Sequence, residues 1–84
     1  MKVVRELESF DIPNAIHPRR RIVILMRSDG HFAFAEQYYC VSEYEGEILA
    51  EGWQQQDANG VYETADMAEK EGRAAFAKWH RKGR

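Results

Sequence analysis

The chain has 84 residues, of which 44% are hydrophobic and 31% charged, with a formal net charge of −2. That length supports one core and no second, and the composition is that of a folding chain rather than a charge-biased disordered one. A lone cysteine, Cys40, excludes an internal disulfide; the charged start MKVVRELESF lacks a signal peptide's apolar stretch, and the run Ile22–Met26 is about a quarter of a membrane-spanning helix, so a reducing cytoplasm and no membrane are expected.

The charge is unevenly placed. Residues 1–27 carry six basic and three acidic side chains, residues 28–72 one basic and eleven acidic, and residues 73–84 five basic and none acidic. A nucleic-acid surface usually shows a basic stripe without so much nearby acid to repel phosphate.

In chain order, residues 1–20 form an N-terminal segment. Val3, Leu7 and Phe10 at i, i+4 and i+7 predict a short helix over 2–9, stopped by Pro13 and Pro18 and followed by a loop. Residues 21–84 predict a single small α+β domain: an antiparallel three- or four-stranded meander with one C-terminal helix packed on one face. RIVILMR, residues 21–27, is rich in branched side chains, and Asp29-Gly30 suits a two-residue type I′ hairpin turn. HFAFAEQYYCVS returns as the second strand, Glu45-Gly46 turns the chain into EILAEGWQQQ, and Asn59-Gly60 closes another turn before a short fourth strand over 61–63.

Taken literally, these turns set Met26 opposite Ala33, Ile24 opposite Ala35, Tyr38 opposite Trp53, Tyr39 opposite Gly52 and Val41 opposite Ala50. One face then carries Ile22, Ile24, Met26, Ala33, Ala35, Tyr39, Val41, Ile48, Ala50 and Gly52, with small side chains at its centre. The other carries Val23, Leu25, Phe32, Phe34, Tyr38, Leu49 and Trp53, with Arg21, Arg27, Glu36 and Glu51 among them.

The helix has the clearest signature. Thr64 is placed as its N-cap, Asp66 lies where the dipole favours a carboxylate, and Ala65, Ala68, Gly72, Ala75, Phe76 and Trp79 form one stripe. Asp66 with Lys70 and Glu69 with Arg73 make acid-before-base pairs four apart, and Lys78, Arg81, Lys82 and Arg84 suit the dipole at the other end. Docked on the small-residue face, with Trp79 filling the space beside Ala33, Ala35, Ala50 and Gly52, this helix leaves Val23, Leu25, Phe32, Phe34, Tyr38 and Trp53 as the candidate interaction face. The N-terminal segment, a second copy or a partner would cover it.

Catalytic chemistry has little support. His17, His31 and His80 fall in a loop, at a turn and near the chain end, without metal-ligand spacing, and read as solvated residues. Cys40 and His31 are an odd number of residues apart on one strand and so lie on opposite faces. Glu43, Glu45 and Glu47 read as a solvated acidic turn, and no cofactor or metal is implied.

After three strands, the segment GVYETADMAEKEGRAAF resembles the end of integrase arm-binding domains, in which a sheet reads DNA through Arg and Trp side chains. Arg21, Arg27 and Trp53 match that pattern, while Glu36 and Glu51 would oppose phosphate. The strand, Asp29-Gly30, strand order before a Thr64-led helix is similar to antitoxins of the HicB kind, without their proline-containing loop. These motifs are short and assign no family.

The sequence therefore points to a small non-enzymatic binding or regulatory protein, with a protein partner or self-association through the aromatic face. The alternative is a nucleic-acid-binding module using Arg19, Arg20, Arg21, Arg27, Lys78, Arg81, Lys82 and Arg84.

Overall fold

The computed structural model describes residues 1–13 and 15–80. Six strands, β1 (Lys2–Glu6), β2 (Phe10–Asp11), β3 (Arg19–Met26), β4 (Phe32–Tyr44), β5 (Glu47–Gln55) and β6 (Asn59–Tyr62), make one antiparallel sheet, followed by one helix, α1 (Ala65–Trp79). The buried Ile22–Leu25 run places β3 at the centre beside β4. β1 and β2 lie in succession along the outer edge of β3, and β5 and β6 in succession along the outer edge of β4.

Residues 2–6 and 10–11 are thus strands and not the expected helix and loop. A buried strand must satisfy its amides and carbonyls on both edges, and the β-branched pair Val3-Val4 suits that role. The Leu7 amide continues the pairing by donating to Ile22 O at 3.0 Å. Three apolar side chains at helical spacing do not outweigh that demand.

The β3–β4 turn holds three residues, not two. Arg27 N–H donates to His31 O at 2.7 Å, which leaves Ser28, Asp29 and Gly30 as the loop, with Gly30 at φ 86°. This is a type I turn closed by a left-handed residue, stabilised by the Asp29 carboxylate, which accepts from His31 N–H at 3.0 Å and Arg27 Nε at 3.2 Å. One extra loop residue moves every β4 side chain to the opposite face. Ile24 therefore pairs with Phe34 rather than Ala35, and Met26 with Phe32 rather than Ala33.

The Glu45-Gly46 turn forms as expected, both residues having positive φ (51° and 82°). A bulge beyond it shifts β5 by one residue, so Tyr39, not Tyr38, faces Trp53. Asn59 and Gly60 do not reverse the chain; they lie within β6, which pairs with β4 in the same antiparallel sense as β5. Gly60 is required there, at φ 90°, because a Cβ would sit 2.2 Å from the Tyr62 ring.

Thr64 caps α1, its hydroxyl accepting from Met67 N–H at 3.1 Å. Ala68 packs with Ile22, Ile24 and Phe34, and a Cβ on Gly72 would lie 3.0 Å from Ile22 and 3.1 Å from Phe34. The register shift has put bulky side chains on this face, and the helix answers with small ones. It does not dock on the alanine face, and Trp79 does not fill the expected space: its ring lies 6.2 Å from Phe34's and is about half exposed (47%). On the opposite face Val23, Leu25 and Ala35 form a second cluster with Ala58 packed against it.

Candidate functional site

Strand length creates the most unusual surface of the molecule. β4 has 13 residues and β3 only eight, with Arg20 pairing with Tyr38 at the end of their ladder. Tyr39–Tyr44 therefore continue with β5 as a two-stranded arm about 20 Å long at ordinary strand rise. Every residue from Val41 to Glu51 is exposed. Tyr44 and Leu49 are each 65% exposed and Ile48 56%. Glu43, Glu45, Glu47 and Glu51 are the arm's only charges, and none has a basic side chain within ion-pair distance among the described residues.

Side chains on both faces brace the base of the arm. On the side away from α1, Tyr39 meets Trp53 edge-on at 5.3 Å, and the Arg21 guanidinium lies 4.1 Å above the Trp53 ring. Arg21 Nε donates to Gln37 Oε1 at 2.8 Å, Gln37 donates on to Gln55, and the Tyr39 hydroxyl donates to Glu51. That last bond pushes the Tyr39 phenol up from its ordinary value.

On the helix side sits the buried carboxylate of Glu36, 2% exposed. Arg20 Nη1 donates to it at 2.7 Å, and His80 Nε2 lies 2.9 Å from the same oxygen. Arg20 Nε donates to His17 O at 2.8 Å, and the His17 ring stacks on Tyr38. Arg20, Glu36 and His80, with Gln56, Asp57, Asn59 and Trp79, line an open cavity of about 600 Å³. No Ser, Thr or Cys lines it to serve as a nucleophile. Arg20 and His80 both face Glu36, so the cluster ties the end of α1 to β4. His80, expected in solvent, is therefore a packed partner.

A second, apolar cavity of about 260 Å³ lies between the N-terminal strands and α1, lined by Leu7, Phe10, Ile22, Phe76 and Ala77 with Glu8 and Arg73. Arg73 bonds both Glu8 oxygens, at 2.6 and 3.1 Å, and holds that carboxyl down at about 2.

The residues expected to share one open face are divided. Phe32, Phe34 and Tyr38 lie on the helix side, Phe34 buried beneath α1; Val23, Leu25 and Trp53 lie on the other, with Val23 and Leu25 buried. The arginine run is divided too: alternation puts Arg20 on the helix side and Arg19 and Arg21 on the other. Arg19, Arg20, Arg21 and Arg27 each lie within 3.9 Å of a carboxylate, of Asp11, Glu36, Glu6 and Asp29 respectively. Lys78 is exposed in the last helical turn, and Arg81, Lys82 and Arg84 lie outside the described residues.

The arm does have a signal in the sequence: the second and third strand segments are longer than the first, which requires an overhang. The Glu36–His80 pairing, 44 positions apart, had none. Among the described residues no three His, Cys, Asp or Glu side chains gather as a metal site needs, and no helix is long and apolar enough to cross a membrane. No family model, curated protein or solved structure matches this chain.

Proposed function

We propose that this is a small non-enzymatic binding or regulatory protein that engages another protein chain through the β4–β5 arm. The observation that carries the reading is the overhang: β4 outruns β3, and the ribbon beyond it exposes Val41, Tyr44, Ile48 and Leu49 to solvent. A two-stranded ribbon with apolar side chains exposed on both faces, Val41 and Ile48 on one and Tyr44 on the other, is marginal alone and becomes favourable when a partner covers them. The aromatic face first expected to do this is less suited, since half of its members are buried in one cluster or the other. A nucleic-acid role draws less support than a protein partner, because Arg19, Arg20, Arg21 and Arg27 each lie beside a carboxylate. The Arg20, Glu36 and His80 cluster is engaged in internal pairing.

The test uses a short-arm variant in which residues 42–50 are replaced by Asn-Gly, joining Val41 to Glu51, which already face each other. Random peptides displayed on phage are selected against the wild-type protein and counter-screened against this variant. Binders that contact residues 41–51 in an amide-shift map and lose the folded short-arm variant support the reading. Binders that hold both proteins equally, or no binders at all, defeat it.

A further inference from the structure

We infer that the arm's partner is a basic, extended segment of another protein that adds as a further strand along the outer edge of β5. This rests on the arm being the contact element, and it specifies what the arm takes. The sheet ends at β5: over Glu47–Gln55 its amides and carbonyls on the side away from β4 meet no other strand among the described residues. Natural edge strands are normally blunted by lysine or proline, or twisted away by bulges. β5 has no lysine and no proline; its one bulge is at Leu49, with Glu47 and Glu51 on either side, and Ala50–Gln55 beyond it run regularly. The edge is therefore open to strand addition, in which main-chain bonds give affinity and side chains give selectivity.

Charge decides between occupants. Glu6, Glu8, Asp11, Glu36 and Glu69 each have an arginine within ion-pair distance, whereas the four arm carboxylates, like Asp57, Glu63 and Glu71, have no cation among the described residues; the arm differs in gathering four of them within nine residues that hold no lysine or arginine. A second copy is the wrong complement. It brings a second set of four glutamates to an edge that already carries four without a cation: in-register parallel pairing stacks each glutamate on itself, and antiparallel pairing doubles the negative charge along the same edge. A strand with lysine or arginine among β-branched residues brings cations to this edge in place of a second set of carboxylates. Its apolar side chains would then meet those the arm exposes.

The experiment titrates the full-length protein with three synthetic peptides of about ten residues, long enough to span the edge. One alternates Lys and Val, the second alternates Glu and Val, and the third is the lysine peptide with proline at every second valine, which keeps the charge and removes ladder donors. The Lys-Val peptide should bind, slow amide exchange in β5, and weaken as salt rises from about 50 to about 300 mM. The Glu-Val and proline peptides should bind at least about tenfold more weakly, the sum of several cross-strand pairs. Changing Glu45, Glu47 and Glu51 together to Gln should cost the Lys-Val peptide a similar factor.

Equal affinity of the lysine and proline peptides would reduce the effect to unspecific charge attraction and overturn strand addition. Equal affinity of the lysine and glutamate peptides, or no binding by either, would overturn the basic partner. A concentration-dependent doubling of mass by light scattering, abolished in the short-arm variant, would make a second copy the occupant and also overturn it. Undiminished binding of the Lys-Val peptide to the short-arm variant would defeat the arm itself as the contact. Failure of the peptides alone, with arm-dependent phage binders still in hand, would defeat only the basic strand.

Discussion

Single residues show how sharply local signals differ from distant ones. Thr64 was legible as a cap because its acceptor and the Met67 donor are three positions apart, and Gly72 was legible within the helical stripe. Glu36 was not, because its hydrogen-bond partners arrive from β3 and from beyond α1. Removing one partner of so buried a carboxylate leaves an uncompensated charge, so Arg20→Met should cost on the order of 3 kcal/mol in denaturant unfolding. Adding Glu36→Leu to that variant should recover part of the loss, and a double variant no more stable than the single would refute the pairing. At Gly72 the space is already taken by Ile22 and Phe34. Gly72→Leu should therefore destabilise by about 1–3 kcal/mol through overpacking, despite the gain in helix propensity. The Glu8 carboxyl is held at about 2 by the Arg73 guanidinium, below its ordinary 4.5. A depressed folded-state value contributes stability that is present above about pH 4.5 and lost as the pH falls toward 2. An acid titration should show that loss between those limits, and Arg73→Gln should flatten it; an unchanged acid slope would mean that the exposed pair contributes nothing.

At the scale of elements, the sequence showed that strands lie near 21–27, 31–42 and 47–56 and that a helix follows Thr64, while β4 came out turned over between its neighbours. The reason is physical: Asp29-Gly30 fits both a two-residue turn and the last two places of a three-residue loop, and these alternatives differ by one residue of register. Alternation in β4 could not arbitrate, because FAFA offers apolar side chains to both faces. The N-terminal strands were missed for a related reason: their formation depends on the open edge of β3, which no local spacing reports. Deleting Ser28 tests this account directly. It forces the shorter turn, asks Phe34 to leave the space beneath α1, and should abolish most of a small domain's stability, which is typically 5–15 kcal/mol. A Ser28 deletion that unfolds at the wild-type denaturant midpoint would show that packing, not loop length, fixes the register.

For the whole molecule, the arm sets the shape. The radius of gyration is 14.3 Å, against about 12 Å for a compact chain of this length, and the longest dimension is 47 Å. The short-arm variant should lose most of that excess in small-angle scattering while its unfolding midpoint stays near the wild-type value, because every residue it removes is exposed. A large fall in midpoint would mean that the ribbon contributes to the core after all. The same overhang separates two parts of the chain that tolerate change differently. Near Ser28 a single inserted or deleted residue turns one strand over, so that loop is closed to changes of length. At the tip beyond Tyr44 one residue can be added to each strand of the ribbon in concert without disturbing anything beneath α1. The reach of this protein can therefore drift over evolutionary time while its core stays fixed, and related chains should differ in arm length before they differ in the loop at Ser28.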